Sequence, residues 1–98
     1  MAARIVTLRS PIEHEGKSLT EISLDLEKLT GDDALLAERE AQMENGGQIR
    51  GDPLLSKAYV LHVLSRASGV DAAVLKRLRI DDFDDLIRTA QVFFMGMG

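Results

Sequence analysis

Two segments near the N-terminus alternate between apolar and polar residues, as strands with one buried face do. The first covers residues 4–9 and gives way to Pro11, where we expect the proline to end ladder pairing. The second covers residues 19–26 and carries isoleucine or leucine at every other position of its last five residues. Since Gly16 between them can supply a positive φ, the pattern predicts a β-hairpin over residues 3–26 whose apolar face must be covered.

Four further segments carry the apolar spacing of three and four residues that is typical of helices. Thr30, with Asp33 three positions later, forms a capping pair for the first of them. Asp52-Pro53 offers an N-cap and a first-turn proline for the second, and Gly69 is its C-terminal stop. The second segment is apolar on several sides, so we expect it to be the central core element. The predicted helices cover residues 31–44, 53–68, 71–79 and 82–95, which makes the chain an α+β fold with an N-terminal hairpin and a small bundle of about four helices.

The last predicted helix carries the strongest apolar stripe in the chain. Phe83, Leu86, Ile87 and Ala90 suffice for one core-facing side, and the other apolar residues point in several directions. Methionine is adaptable and suits surfaces that accept varied apolar partners. A surface for self-association or for a client protein and a purely internal core therefore both stay open. If the surface exists, the predicted partner-binding residues are Tyr59, Val92, Phe94, Met95 and Met97.

Composition limits the classes of function. A chain of 98 residues with 45% apolar residues can build one modest core, so we expect a single domain over residues 1–98. There is no cysteine, the start of the chain does not read as a signal peptide, and no segment is apolar for long enough to span a membrane. The net charge of −4 opposes a generic surface for nucleic acid or anionic lipid. We therefore expect a cytoplasmic protein whose partner is another protein.

Residues that could carry chemistry are few. His14 and His62 have no second histidine or cysteine at metal-ligand spacing, so no metal or cofactor is predicted. The cluster of aspartates from Asp81 to Asp85 is better explained as capping of the last helix, where acidic groups meet the positive end of the helix dipole. Nothing assembles a nucleophile, a base and an orienting group, so we do not expect an enzyme.

DNA binding is the alternative from another class of function. Residues 65–75 have a helix, a glycine turn and a second helix at about the spacing of a helix-turn-helix motif, with Lys76, Arg77 and Arg79 nearby. However, the second helix begins Asp71-Ala-Ala-Val rather than with polar or basic residues, and the aspartates that follow would repel phosphates. The alternative of a small helix-turn-helix-like regulator is therefore kept, but as the second choice.

The order of several short patterns resembles a known family. They are Ile5-Val-Thr-Leu-Arg-Ser-Pro-Ile12, Gly16-Lys-Ser-Leu-Thr-Glu-Ile-Ser-Leu24, Leu29-Thr-Gly-Asp32, the helix end Ser68-Gly69, and Leu78-Arg-Ile-Asp-Asp-Phe-Asp-Asp-Leu86. Together they resemble the small tail assembly chaperones of Mu-like tailed phages and prophages, over nearly the whole chain. Each pattern is structural, and none is a catalytic signature.

The resemblance implies a partner and a location. Proteins of this family are thought to bind the long, largely helical tape measure protein and keep it soluble until the tail tube polymerises around it. The protein would then be a non-enzymatic chaperone of virion morphogenesis in the host bacterial cytoplasm. The family also implies a longer form made by translational frameshifting, with which the present chain could associate.

Overall fold

The computed structural model describes residues 4–44 and 56–96. These residues form a two-stranded antiparallel hairpin followed by four helices, which confirms the predicted α+β fold. The elements in chain order are β1 (Arg4–His14), β2 (Lys17–Leu24), a single 3-10 turn (Leu26–Lys28), α1 (Gly31–Glu44), α2 (Lys57–Ser68), α3 (Ala72–Leu75) and α4 (Ile80–Phe94).

The hairpin is closed by a two-residue turn. His14 pairs with Lys17, and between them Glu15 and Gly16 have φ values of 54° and 76°. Two successive positive φ values give the chain a twist that matches the twist of the flanking strands. Gly16 adopts this conformation without steric cost, as the sequence predicted for the turn.

β1 continues past Pro11, so the expectation that the proline would end pairing was wrong. Pairing stops after Thr7, opposite Glu21, and resumes at Ile12, opposite Leu19. Residues 8–11 of β1 therefore lie opposite a single residue of β2 and form a large, irregular bulge. Proline has no N–H to donate, and it is tolerated here because an irregular stretch needs no ladder bond from it.

Asp82 holds this bulge against α4. Its carboxylate is fully buried and accepts hydrogen bonds from the backbone amides of Arg9 (2.8 Å) and Ser10 (2.9 Å). The N-cap of α4 is Arg79, so the predicted role of Asp82 as a helix cap was wrong. Asp81 accepts a hydrogen bond from the amide of Asp82 at 2.8 Å and lies nearer the surface. Asp82 instead satisfies two amides that the bulge has removed from the β-ladder.

α2 is the central element, as the spread of its apolar positions predicts. It contacts β2, α1, α3 and α4, and the Asp25 amide donates to the carbonyl of Ala67 near its C-terminal end at 3.0 Å. Six consecutive or near-consecutive residues of α2 are buried. They are Val60, Leu61, His62, Val63, Leu64 and Ala67.

The helix ends follow local signals, with some differences from the prediction. α2 begins at Lys57 rather than at residue 53, and its N-cap Ser56 accepts from the Tyr59 amide at 3.3 Å. The proposed cap Asp52-Pro53 lies outside the described residues. Gly69 ends α2 with φ of 75°, which confirms the glycine stop. α3 ends at residue 75 rather than 79, and α4 starts at residue 80 rather than 82.

Candidate partner-binding site

A cavity of about 210 Å³ opens between the 3-10 turn, the start of α1, the middle of α2 and the end of α4. We call it the aromatic cavity. Most of its lining is apolar, and three polar side chains, those of Glu27, Thr30 and Asp33, complete it. The apolar lining includes Leu26, Leu29, Ala34, Tyr59, Phe93 and Phe94. Since an apolar cavity of about 150 Å³ can hold a benzene molecule, this one has room for a single bulky apolar side chain.

The end of α4 forms one wall of the aromatic cavity. Phe93 and Phe94 meet edge to face, with ring centroids 5.5 Å apart and planes at 77°, a favourable arrangement for aromatic pairs. The guanidinium of Arg4 lies 5.4 Å from the centroid of the Phe93 ring. Both phenylalanines are only partly buried, although both pack against the core. The wall is therefore anchored on one side and open to a partner on the other.

Hydrogen bonds fix the opposite wall, at the start of α1. The Thr30 amide donates to the Asp33 carboxylate at 2.9 Å, and the Asp33 amide donates back to the Thr30 hydroxyl at 3.4 Å. This reciprocal pair confirms the predicted cap. Arg66 of α2 donates from Nε to Asp33 at 2.7 Å and ties the two helices together. These hydrogen bonds, first of all that of the Thr30 amide, hold the pKa of Asp33 below its usual value.

Tyr59 gives the cavity a polar group in apolar surroundings. Its side chain is partly buried, and burial raises the pKa of its hydroxyl, with a smaller contribution from the negative charge of Glu38. The phenol therefore stays neutral across the physiological range. A neutral phenol can pack its ring against an apolar partner and offer one hydrogen bond at the same time.

The structure brings together two of the five predicted partner-binding residues. Tyr59 and Phe94 both line the aromatic cavity. Met95 directly follows α4, and 61% of its surface is exposed. Val92 lies elsewhere, in a groove between α4 and β1. Met97 lies outside the described residues.

Sequence reasoning missed three exposed apolar side chains on α1. Leu35 and Met43 are 66% and 76% exposed, and Leu36 is 41% exposed. The buried side of the same helix consists of Ala37 and Ala41, four residues apart. The spacing of the two alanines was a usable signal, because residues on the opposite side of a helix from its packed face are turned toward solvent.

Within residues 4–44 and 56–96, no three histidine, aspartate or glutamate side chains are placed to hold a metal ion. His62 is nearly buried, with Nδ1 3.6 Å from Glu40 and Nε2 3.3 Å from Glu44. Glu44 also pairs with Lys76. None of the helices in these residues has the length and apolar character needed to cross a bilayer.

The aromatic cavity is small, partly open and mostly apolar. It combines aromatic walls, two hydroxyl groups and two acidic side chains, and it has room for one bulky apolar side chain. Comparison with known proteins adds no assignment. A scan against models of protein families found no match, and searches of curated proteins and of solved structures found none either.

Proposed function

We propose that the protein is a non-enzymatic tail assembly chaperone that binds the tape measure protein of a phage or prophage and keeps it soluble in the host cytoplasm. The observation that carries this proposal is the aromatic cavity, which is partly open and walled by Phe93, Phe94 and Tyr59. Its support from the sequence is the ordered set of patterns that resembles this family of chaperones.

The cavity suggests how a helical client would be held. An apolar side chain of an amphipathic client helix enters the cavity, and the exposed Met95 beside it covers a neighbouring turn of that helix. A cavity with room for only one side chain binds weakly, so a long client would engage several copies of the chaperone along its length. The net charge of −4 keeps such an assembly soluble.

Other partners follow from the same proposal. A second copy of the chain, or a longer frameshifted form of it, would bring further cavities to the client. Nucleic acid and membrane have no role in this mechanism. The DNA-binding alternative is less favoured, since α3 is only four residues long and two of them, Ala72 and Leu75, are buried.

The proposal is tested by co-expression with the tape measure protein encoded in the same genome. We expect the client to be soluble and to co-purify with the wild-type chaperone. Phe94→Ser removes a wall of the cavity and should reduce the co-purified client severalfold. The matched control is Ile80→Ser at the other end of α4, where 80% of the side chain is exposed; it should bind as the wild type does.

A second variant keeps the test decisive if Phe94→Ser unfolds. Ala34→Phe places a ring in the cavity from a partly buried position of α1, and adds apolar surface instead of removing it. A thermal melt establishes that each variant is folded. Loss of client binding by a folded Ala34→Phe variant supports the proposal, whereas unchanged binding by this variant contradicts it.

A further inference from the structure

The outer side of α1 is one continuous exposed face. The helix packs chiefly on α2, through an inner side that includes Ala37 and Ala41. Residues on the opposite side are exposed and have the spacing of a single helix face. They are Asp32, Leu35, Leu36, Arg39 and Met43. We call this surface the outer face of α1.

Apolar side chains are concentrated on the outer face of α1. Six large hydrophobic side chains are exposed among the described residues, and three of the six belong to this helix. Single exposed hydrophobic residues are ordinary on a protein surface, whereas a contiguous group marks a site of interaction. Leu35 and Leu36 form the middle of the face, and Met43 lies about two turns further along the helix.

The charges on the outer face of α1 have no partner within the chain. Asp32 and Arg39 lie on the same side of the helix, about 10 Å apart along its axis, with the two leucines between them. Among the described residues, neither side chain has a hydrogen-bond or ion-pair partner. The face therefore carries an acid, two leucines and a base in this order. Such an order is complementary to itself when a second helix runs in the opposite direction.

We infer that the outer face of α1 binds the same face of a second copy of the chain, with the two helices antiparallel. A two-fold axis that passes between residues 35 and 36 places Asp32 of each copy opposite Arg39 of the other. The four leucines of the two copies then meet between two ion pairs. This is the usual anatomy of an interface, with an apolar centre and a charged rim. The leucines supply the affinity, and the ion pairs select the register and the direction.

Other pairings of the same two faces are less complementary. Parallel helices would bring like charges together at both ends. A two-fold axis between residues 39 and 40 would pair Arg39 with Glu40, but it would put these charges at the centre of the interface and leave Asp32 without a partner. Glu40 also lies 3.6 Å from His62 in its own chain.

The outer face of α1 is distinct from the aromatic cavity. The helix lines that cavity through Ala34, which shares the inner side with Ala37 and Ala41. A dimer formed through the outer face therefore does not use the cavity, and the inference does not depend on the proposed chaperone function.

Sedimentation of the full chain from about 10 μM to about 1 mM measures the association, since an interface of a few helical turns is small and its dimer weak. We expect a reversible monomer–dimer equilibrium. Asp32→Arg places two arginines opposite each other at both ends of the interface, and Arg39→Asp does the same with two carboxylates. Each variant should weaken the dimer by about tenfold or more. The control Glu21→Arg makes the same change of charge on the exposed side of β2 and should stay within about twofold of wild type.

A mixture of the two charge variants tests the register. One chain then carries arginine at both positions and the other carries aspartate at both, so their heterodimer has two restored ion pairs. We expect the equimolar mixture to dimerise about as tightly as the wild type, which an unfolded variant could not do. Leu35→Ser should weaken the dimer about tenfold, whereas Ile80→Ser, at an equally exposed position of α4, should not change it.

Four results would overturn the inference. They are a wild-type chain that stays monomeric at about 1 mM, a mixture that stays monomeric, equal weakening by Leu35→Ser and Ile80→Ser, and a dimer that Asp32→Arg leaves unchanged. The last result, together with weakening by Arg39→Asp, would favour the register centred between residues 39 and 40 over the one inferred.

Discussion

Replacement of Asp82 by asparagine tests the long-range contact that joins α4 to the hairpin. The buried carboxylate accepts hydrogen bonds from two backbone amides, at 2.8 Å and 2.9 Å, of residues 73 and 72 positions earlier in the chain. Asparagine has one acceptor oxygen, so one amide loses its partner and faces an NH₂ group. For a domain of this size, a buried amide without an acceptor should lower Tm by on the order of 10 °C at neutral pH.

The effect of this substitution should depend on pH. The hydrogen bond from the Arg9 amide holds the pKa of Asp82 below its usual value; the Ser10 amide and the charges of Arg9 and Arg79 act in the same direction, and burial opposes them. Because the folded pKa is lower than the unfolded one, the stabilisation is complete above about pH 5 and is lost as pH falls through the folded pKa. The difference in Tm between wild type and Asp82→Asn should therefore stay constant above about pH 5 and narrow as the pH falls below this value.

Thermal melts followed by circular dichroism measure both effects. The matched control is Asp84→Asn, in the same helix, where the carboxylate pairs with Arg88 across one turn and is partly exposed. Such surface pairs contribute little, so its Tm should change by less than about 3 °C. The reasoning fails if both variants lower Tm by the same amount, or if the difference in Tm between wild type and Asp82→Asn is independent of pH.

Three other predictions concern the core, a helix end and the aromatic cavity. Leu64→Ala truncates a fully buried side chain of α2 and should lower the free energy of unfolding, measured by urea titration, by about 2–5 kcal/mol. A loss below about 1 kcal/mol would mean that α2 is not central. Gly69 has φ of 75°, so Gly69→Ala should lower the free energy of unfolding by about 1–2 kcal/mol. Gly69→Asn should lower it less, since asparagine tolerates this conformation. Equal losses would contradict the explanation that backbone strain at position 69 is the cause. Phe94→Ser should abolish most client binding with little loss of helical signal, whereas a matching loss of both would place Phe94 in the core.

Local signals in the sequence account for much of the fold. Thr30 and Asp33 cap α1 because the two groups that bond to each other lie three residues apart, and Gly69 ends α2 because its own φ is positive. Gly16 in the hairpin turn is a third example. Each of these features depends on neighbouring residues, so composition and spacing suffice to predict it.

Asp82 shows where such reasoning stops. Its position near the start of α4 and its acidic side chain match a helix cap, and nothing local distinguishes it from Asp81. Its actual partners are the amides of a bulge in β1, which becomes apparent only when α4 is packed on the sheet. The extension of β1 past Pro11 was missed for the same reason, because the bulge that accommodates the proline depends on this distant carboxylate.

The five partner-binding residues stay a prediction, and the structure places only Tyr59 and Phe94 in one cavity. The sequence grouped them by residue type and did not indicate a cavity. The same logic grouped Val92 with them, although the helix turns it toward β1. Periodicity gives the direction of a side chain around its own helix, but the neighbouring element that it meets depends on how the helices are packed.

Hydrogen–deuterium exchange of the chain alone and in the presence of a tape measure protein, the proposed client, tests the proposed function most directly. If the aromatic cavity holds the client, exchange should slow in the 3-10 turn and the start of α1, around Tyr59, and at the end of α4, all of which border the cavity. The same measurement on the folded Ala34→Phe variant should show no such protection. A complex that forms without protecting these segments, or no complex at all, would contradict the account.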